Sequence, residues 1–184
     1  MSVSRLAVRA AILACVAMGS LSAQGRPNFS GDWMRAPDSV AIGRTVAATG
    51  DAAFRLGDMG SGWGATLTMA HRPDSLVIEY DFFSAYDLQP RVRLAYVLDG
   101  SESRNGVMIG HAESVQRSTV SWQGSALVIT TRTPAPAGED GRATTSEVRH
   151  ALTLEPTGSL AVETTRVGVF GGPTTATRVV YTKR

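Results

Sequence analysis

The sequence contains almost no cysteine. The single one, Cys15, lies within the first 23 of 184 residues, so residues 24–184 contain no thiol. A domain without thiols has no disulfide, no cysteine nucleophile and no cysteine-bound metal. At roughly 160 residues it is nevertheless long enough to bury a core as one domain.

The first 23 residues have the layout of a secretory signal peptide, in which a positive start precedes an apolar stretch and a pair of small residues. These three parts are Arg5 and Arg9, then Ala10–Leu21, then Ser22–Ala23. We expect cleavage near Ala23, which leaves a periplasmic or secreted domain of residues 24–184.

An alternative for the leader is a bacterial lipoprotein signal. Ile12–Cys15 resembles a lipobox, in which the cysteine becomes a lipidated N-terminus. Only five apolar residues separate Arg9 from Cys15, whereas the apolar stretch of a signal peptide has about 7 to 15 residues. This length favours the cleaved leader.

The chain has little surplus charge. It contains 18 lysine and arginine residues against 16 acidic ones, and two of the arginines belong to the leader. The remaining domain is therefore neutral, with sixteen charges of each sign. A nucleic-acid-binding protein needs a cationic surplus to neutralise phosphates, so we expect no nucleic-acid partner.

Long apolar runs and helical periodicity are also missing after the leader. No apolar run approaches the roughly 18 residues that a membrane-spanning helix needs, so we expect no membrane span. Instead, short alternating runs end at turn residues, which indicates an antiparallel all-β domain. The predicted strands are Gly31–Ala36, Ala65–Arg72, Leu76–Phe83, Arg91–Asp99, Ser118–Gln123, Ala126–Thr133, Thr145–Glu155, Ser159–Val167 and Thr175–Lys183.

Strands joined in sequence order by short turns predict a single up-and-down antiparallel β-barrel of about 8–10 strands, because closure removes exposed sheet edges. A two-sheet β-sandwich is the alternative. Val40–Leu56 is the one segment that suits a short helix, and its glycines weaken that prediction. Gly57–Gly64 contains four glycines in eight residues and is expected to be mobile.

The opening of the predicted domain resembles a known barrel family. Pro27–Trp33 reads PNFSGDW, and its G-x-W motif at the first strand is similar to that of lipocalin-like (calycin) barrels. The resemblance implies that Trp33 closes one end of the barrel. It also implies that a cation near the last strand, Arg178 or Lys183, packs over the Trp33 ring.

The whole domain also resembles small exported bacterial β-barrel proteins that open in this way. The shared motifs are Tyr96-x-Leu98-Asp99-Gly100, Trp122-x-Gly124-x-x-Leu127 and Tyr181-x-Lys183. This resemblance supports the fold and implies no catalytic residues. Two lipocalin features are absent, the cysteines that tie the C-terminus to the barrel and the T-D-Y motif.

Motifs that define a reaction are missing as well. There is no G-x-S-x-G nucleophile elbow and no HExxH or H-x-H spacing for a metal. The histidines are His71, His111 and His150, and both His71 and His150 alternate with apolar residues, which places them inward. Three converging imidazoles would suit zinc or haem iron, but without supporting spacing we expect no metal, cofactor or catalytic residue.

Aromatic side chains share the predicted inward faces of the strands. The candidate residues are His71, Tyr80, Tyr96, Trp122 and His150. They fill a core, or they line a lumen for a small apolar ligand with tyrosine hydroxyls and histidines as polar anchors.

We therefore expect a non-enzymatic barrel that binds a small ligand. One alternative is an interaction subunit of a cell-envelope assembly, which predicts a contiguous apolar surface patch. The other is a hydrolase or isomerase that works at the barrel mouth. It predicts a cavity where His71 or His150 meets a carboxylate or a tyrosine.

Overall fold

The computed structural model describes residues 25–37, 44–45, 62–81, 91–109, 112–135, 144–167 and 174–184. Several predictions fall outside these residues: the leader and its cleavage site, the helix within Val40–Leu56, and the placement of His111. Of the glycine-rich segment Gly57–Gly64, only the part from Gly62 onward is described.

The described residues form strands and no helix. The strands are β1 (Gly31–Arg35), β2 (Arg44–Thr45), β3 (Thr66–His71), β4 (Ser75–Tyr80), β5 (Val92–Val97), β6 (Ser103–Ile109), β7 (Ala112–Gln123), β8 (Ala126–Ala135), β9 (Thr144–Leu154), β10 (Leu160–Val167) and β11 (Thr175–Lys183). None of the described residues belongs to a helix long and apolar enough to cross a membrane.

Ten of these strands form one antiparallel sheet in the order β5-β4-β3-β1-β11-β10-β9-β8-β7-β6, and β2 pairs with the start of β11. Strands that follow each other in the chain lie side by side, and β1 pairs with β11, which brings the two ends of the domain together. The predicted single up-and-down barrel is confirmed, as a sheet that is nearly closed. The described strands do not form the alternative two-sheet sandwich.

The predicted hairpins are present with their turns in place. β3 pairs with β4, β7 with β8, and β9 with β10. In the second hairpin, Gly124 has a φ of +60°, a left-handed conformation that glycine adopts without strain. The segment before Val115, which the sequence pattern leaves unassigned, contains β6 and the start of β7. Polar residues such as Ser103 and Asn105 occupy buried positions of β6, so the sequence shows no alternation of apolar and polar residues there.

The two ends of the barrel differ. At one end, which we call the turn end, the connections are short: residues 72–74, 98–102, 124–125 and 155–159. At the other, the loop end, five strands end: β1 at Arg35, β4 at Tyr80, β6 at Ile109, β8 at Ala135 and β10 at Val167. The N-terminal segment 25–30 precedes β1 and therefore lies at the turn end.

The gap in the barrel lies between β5 and β6, where side chains replace a backbone ladder. The Asn105 side chain accepts a hydrogen bond from Ala95 N at 2.8 Å and donates one to Ala95 O at 3.1 Å. Next to it, Ser103 Oγ accepts a hydrogen bond from Val97 N at 2.9 Å. Both polar residues are buried, so the seam is satisfied without a regular strand pair.

Trp33 is buried near the turn end, beside Phe29 of the N-terminal segment. It is 2% exposed, and its Nε1 donates to the backbone oxygen of Phe29 at 3.0 Å. The cation over its ring is Lys183, whose Nζ lies 5.7 Å from the ring centroid. The prediction that Arg178 is this cation is wrong, because Arg178 forms ion pairs with Glu155 and Glu163 on the barrel surface. Arg178 alternates outward on β11, which explains why it does not reach Trp33.

Candidate functional site

The inner wall formed by β7–β11 changes from apolar to polar toward the loop end. Inward residues of these strands align in rows because the strands pair in antiparallel register. One row is Trp122, Leu127, Leu152, Val162 and Val179; the next is Val120, Ile129, His150, Thr164 and Thr177; the row nearest the loop end is Ser118, Thr131, Val148, Arg166 and Thr175. We call the polar members of the last two rows the polar wall: Ser118, Thr131, His150, Thr164, Arg166, Thr175 and Thr177.

Arg166 places a buried cation in the polar wall. It is 3% exposed, and its Nη1 donates a hydrogen bond to Thr177 Oγ1 at 3.2 Å. Burial lowers the pKa of its guanidinium because the charged form loses hydration, yet an arginine in a protein stays protonated. A buried charge is costly, so a core with only a structural role would favour an apolar side chain here.

Two hydroxyl groups of the polar wall are buried and unsatisfied. Oγ1 of Thr164 and Oγ1 of Thr175 have no hydrogen-bond partner within the described part of the chain, and the two residues are 0% and 5% exposed. By contrast, the hydroxyls of Ser118 and Thr131 lie 2.9 Å apart and satisfy each other. A buried polar group without a partner costs about 1–3 kcal/mol, so the two threonines weaken the fold as it stands.

Trp63 lies against the polar wall. It is 7% exposed, and its ring stacks on that of His150 with centroids 4.4 Å apart and planes inclined by 14°. The sequence analysis did not single out Trp63, because it lies in the glycine-rich segment that was expected to be mobile. Its burial shows that the described end of this segment is fixed to the interior.

The glycines on either side of Trp63 allow this close approach. A Cβ on Gly62 would lie 3.4 Å from Arg166 Nη2, and a Cβ on Gly64 would lie 2.9 Å from the backbone oxygen of Asp81. Gly64 also accepts a hydrogen bond from the Tyr181 hydroxyl at 3.2 Å. The segment Gly62–Gly64 therefore covers the polar wall from the loop end.

Two buried tyrosines, Tyr80 and Tyr96, lie on the neighbouring strands β4 and β5. Burial, together with the nearby Tyr181, raises the pKa of Tyr80 to about 12. Burial, together with the charge of Tyr80, also raises the pKa of Tyr96. Both phenols are therefore neutral at physiological pH and able to donate as well as accept hydrogen bonds.

The turn end carries a separate aromatic cluster. The Phe29 ring stacks on His71 at 5.5 Å and on Trp122 at 6.1 Å between centroids, and the guanidinium carbon of Arg26 lies 5.2 Å from the Trp122 centroid. His71 Nδ1 accepts a hydrogen bond from the backbone N–H of Phe29 at 3.2 Å. Burial lowers the pKa of His71, so its imidazole is neutral at physiological pH.

A pocket of about 230 Å³ opens beside this cluster. We call it the turn-end pocket. Besides His71 and Trp122, its lining includes Arg26, Asn28, Arg72 and Leu98. It is formed by the N-terminal segment and by two short connections of the turn end.

The structure separates the five candidate residues into different surroundings. His71 and Trp122 meet at the turn end, with ring centroids 6.1 Å apart. Tyr80 and Tyr96 are buried on neighbouring strands, and His150 belongs to the polar wall. Their predicted inward faces agree with the burial of Tyr80, Tyr96 and His150. The contacts among the described residues do not join all five into one site.

Arg166 was also not singled out from the sequence. The signal that could have found it is the alternation along β10, where Leu160, Val162, Thr164 and Arg166 share the buried face. An arginine on a strand usually faces solvent. The alternation of β10 covers only a few residues, so it is too weak a signal to predict a buried arginine against that preference. Only the register of three paired strands shows that Arg166 points inward.

No cluster of three or more histidine, cysteine or acidic side chains that could hold a metal occurs in the described ranges. Searches of protein-family models and of curated proteins find no match to this sequence. The polar wall and the turn-end pocket therefore rest on geometry alone.

Proposed function

We propose that this chain is an exported, non-enzymatic barrel protein that binds a small, mainly apolar molecule at the loop end of its interior. The observation that carries the proposal is the pair of buried hydroxyls of Thr164 and Thr175 beside Arg166, for which the described residues provide no hydrogen-bond partner. In this proposal, a polar group at one end of the ligand bonds to these side chains. The apolar body of the ligand contacts Trp63.

The energetics support a ligand more than a structural role. Valine has the shape of threonine, and at either position it would remove an unsatisfied hydroxyl whose cost is about 1–3 kcal/mol. A ligand acceptor or donor would satisfy the hydroxyls and strengthen the hydrogen bonds in surroundings of low dielectric constant. Sites of this kind combine an apolar lining with a few polar groups that fix the orientation of the ligand.

The arrangement of surface side chains favours this function over an interaction subunit. Such a subunit would present a contiguous apolar patch. Among the described residues, the exposed large apolar side chains are Met34, Val97, Val115 and Val167. They lie on β1, β5, β7 and β10, and no two of these strands are neighbours in the sheet.

The environment of His71 also favours binding over catalysis. A histidine base in a hydrolase is oriented by an acceptor at one ring nitrogen, so that the other can take a proton. Here Nδ1 of His71 is itself the acceptor, for the backbone N–H of Phe29. The ring therefore anchors the N-terminal segment.

The direct test is native mass spectrometry of the protein purified from the periplasm of its own host. We expect a bound small molecule that denaturation releases. In the Thr164→Val variant we expect at least a tenfold lower bound fraction. Thr119→Val is the matched control, because Thr119 is exposed on β7, and it should retain the ligand.

The stability of the ligand-free protein makes this test sharper. Thr164→Val should leave the free energy of unfolding unchanged or raise it by about 1 kcal/mol, because it removes an unsatisfied hydroxyl. Loss of ligand without loss of stability supports the proposal. A Thr164→Val protein that retains the ligand in full, or a wild-type protein that carries none, would contradict it.

A further inference from the structure

We propose that the turn-end pocket is a second binding site, for a small carboxylate that carries a planar aromatic ring. The pocket lies at the opposite end of the barrel from the polar wall, so this inference does not depend on the proposed function. Four features of the pocket lead to it: an apolar surface, cations without an acidic partner among the described residues, polar groups that only donate, and a restricted volume.

Apolar and aromatic surface is present on one side of the pocket. Trp122, Pro73 and Leu98 line it, and Phe29 stacks behind Trp122. Because Trp122 is stacked on a buried ring, its position is fixed before any ligand binds. Planar rings pack well against such a surface.

Two cations line the pocket without an acidic partner. Neither Arg26 nor Arg72 forms an ion pair with any residue that the structure describes. Most exposed arginines on the barrel wall differ: Arg91, Arg93, Arg104, Arg117, Arg132 and Arg178 each contact a glutamate or aspartate. The guanidinium group binds a carboxylate through two parallel hydrogen bonds.

The acidic residues of the adjoining connections are used within their own turns. Asp74 Oδ1 accepts a hydrogen bond from Ser75 Oγ at 2.9 Å, and Asp99 Oδ1 accepts one from Ser101 N at 2.8 Å. Neither carboxylate pairs with Arg26 or Arg72. The positive charge of the pocket is therefore not cancelled by a direct contact.

The remaining polar side chains offer donors. His71 Nδ1 is occupied by the Phe29 N–H, which leaves the proton of the neutral ring on Nε2. Asn28 Oδ1 accepts a hydrogen bond from Ser30 N at 2.8 Å, which leaves its NH2 group free to donate. With both arginines, the polar groups of the pocket suit a ligand that only accepts, as a carboxylate does.

The volume limits the size of the ligand. A pocket of about 230 Å³ has room for roughly eight water-sized groups, at the ~30 Å³ that a water molecule occupies in the liquid. A benzene ring with one carboxylate, which has about nine non-hydrogen atoms, is close to this size. A long-chain amphiphile would extend well beyond the pocket.

The experiment is a titration of the purified protein with benzoate, followed by the indole N–H resonances in a two-dimensional NMR spectrum. The Trp122 resonance is assigned by its disappearance in Trp122→Phe. We expect benzoate to shift this resonance with saturation. Benzamide, which has the same shape without charge, and inorganic phosphate, which has charge without a ring, should each bind at least tenfold more weakly.

Substitutions test the role of the two cations. Arg26→Gln and Arg72→Gln should each weaken benzoate binding at least fivefold. Arg35→Gln removes an exposed arginine of β1 that does not line the pocket, and it should leave the affinity unchanged. Thr164→Val should also leave it unchanged, which separates this site from the polar wall.

Three results would overturn the inference. The first is an absence of any benzoate-dependent shift at Trp122. The second is equal affinity for benzoate and either benzamide or phosphate, because the ring or the charge would then be irrelevant. The third is equal weakening by Arg35→Gln and Arg72→Gln, which would indicate a general electrostatic effect.

Discussion

Asn105 and Ala95 are joined by two hydrogen bonds, in which the side-chain amide of Asn105 pairs with both backbone groups of Ala95. The amide takes the place of a peptide group from a neighbouring strand. This pair lies at the seam between β5 and β6, where the sheet order begins and ends. The Asn105 side chain therefore makes the inter-strand hydrogen bonds that backbone groups make elsewhere in the barrel.

Asn105→Ala should lower the free energy of unfolding by about 1–3 kcal/mol. The substitution removes both hydrogen bonds between the Asn105 amide and the backbone of Ala95, which are part-buried, and each such bond contributes about 0.5–1.5 kcal/mol. Urea denaturation measures the change. Hydrogen exchange should show that the Ala95 amide loses its protection.

Gln116→Ala is the control for this seam, because Gln116 lies directly opposite Asn105 on β7. It makes no side-chain hydrogen bond to β5 in the described residues, so it should change the stability by less than about 1 kcal/mol. A loss for Asn105→Ala that is no larger than for Gln116→Ala would show that the seam does not depend on the amide.

Lys183→Ala should destabilise the turn end more than Arg178→Ala does. Lys183 lies over the buried ring of Trp33, and its removal loses a cation–π contact of about 0.5–1 kcal/mol together with the packing of its stem. Arg178 is exposed, and surface ion pairs contribute about 0–1 kcal/mol. Thermal unfolding of both variants in the same buffer measures the difference. A larger loss of stability in Arg178→Ala than in Lys183→Ala would contradict the prediction.

Stability should fall on mild acidification because of His71. Burial lowers its pKa in the folded protein below the usual value of 6.5, so the unfolded chain binds a proton first as the pH falls. The contribution of the neutral ring is thus fully present above pH 6.5 and declines as the pH falls toward the folded pKa. Urea denaturation between pH 5 and pH 8 measures this dependence.

The matched variant for this dependence is His71→Asn, whose side-chain oxygen is able to accept the Phe29 N–H in place of Nδ1. It should flatten the profile below pH 6.5 because asparagine does not titrate. An unchanged profile would assign the acid sensitivity to another group. Asp99 and Glu102, whose pKa values hydrogen bonds lower, lose their contribution only at more acidic pH.

Stability should also fall under alkaline conditions because of Tyr80. Its pKa is raised from 10.0 to about 12 by burial and by nearby Tyr181, so the unfolded chain releases this proton first. The contribution of the protonated Tyr80 phenol to the free energy of unfolding is complete below pH 10 and is lost as the pH rises toward 12. Tyr80→Phe should therefore reduce the loss of stability between pH 9 and pH 11.5, measured by urea denaturation. An equal loss in both proteins would contradict the prediction.

Most strands could be predicted from the sequence because apolar and polar residues alternate within each strand, a pattern that needs no knowledge of distant residues. Apolar residues at every second position of β3, β4 and β5 indicate which face is buried, and the turn residues between them indicate where each strand ends. β6 did not follow from this pattern. Its buried positions include Ser103 and Asn105, which look solvent-facing until the seam partner on β5 is known.

The candidate site was only partly predictable for a related reason. Tyr80, Tyr96 and His150 stand out because they are large or ionisable and alternate with apolar neighbours. Trp63 and Arg166 do not, since Trp63 lies within a glycine-rich segment and arginine is a residue type that usually faces solvent. Their burial depends on contacts with residues far away in the chain, such as His150 for Trp63 and Thr177 for Arg166.

The sequence by itself determined that the domain is β-sheet, neutral in charge and without thiols after residue 23, because composition and period-two alternation depend only on the order of residues. Tertiary structure decided which inward residues meet. The polar wall is formed by the register of β7–β11, and the turn-end pocket by Arg26 and Arg72, which are 46 positions apart. Strand register and barrel closure bring such groups together, and neither is encoded in any short stretch of the chain.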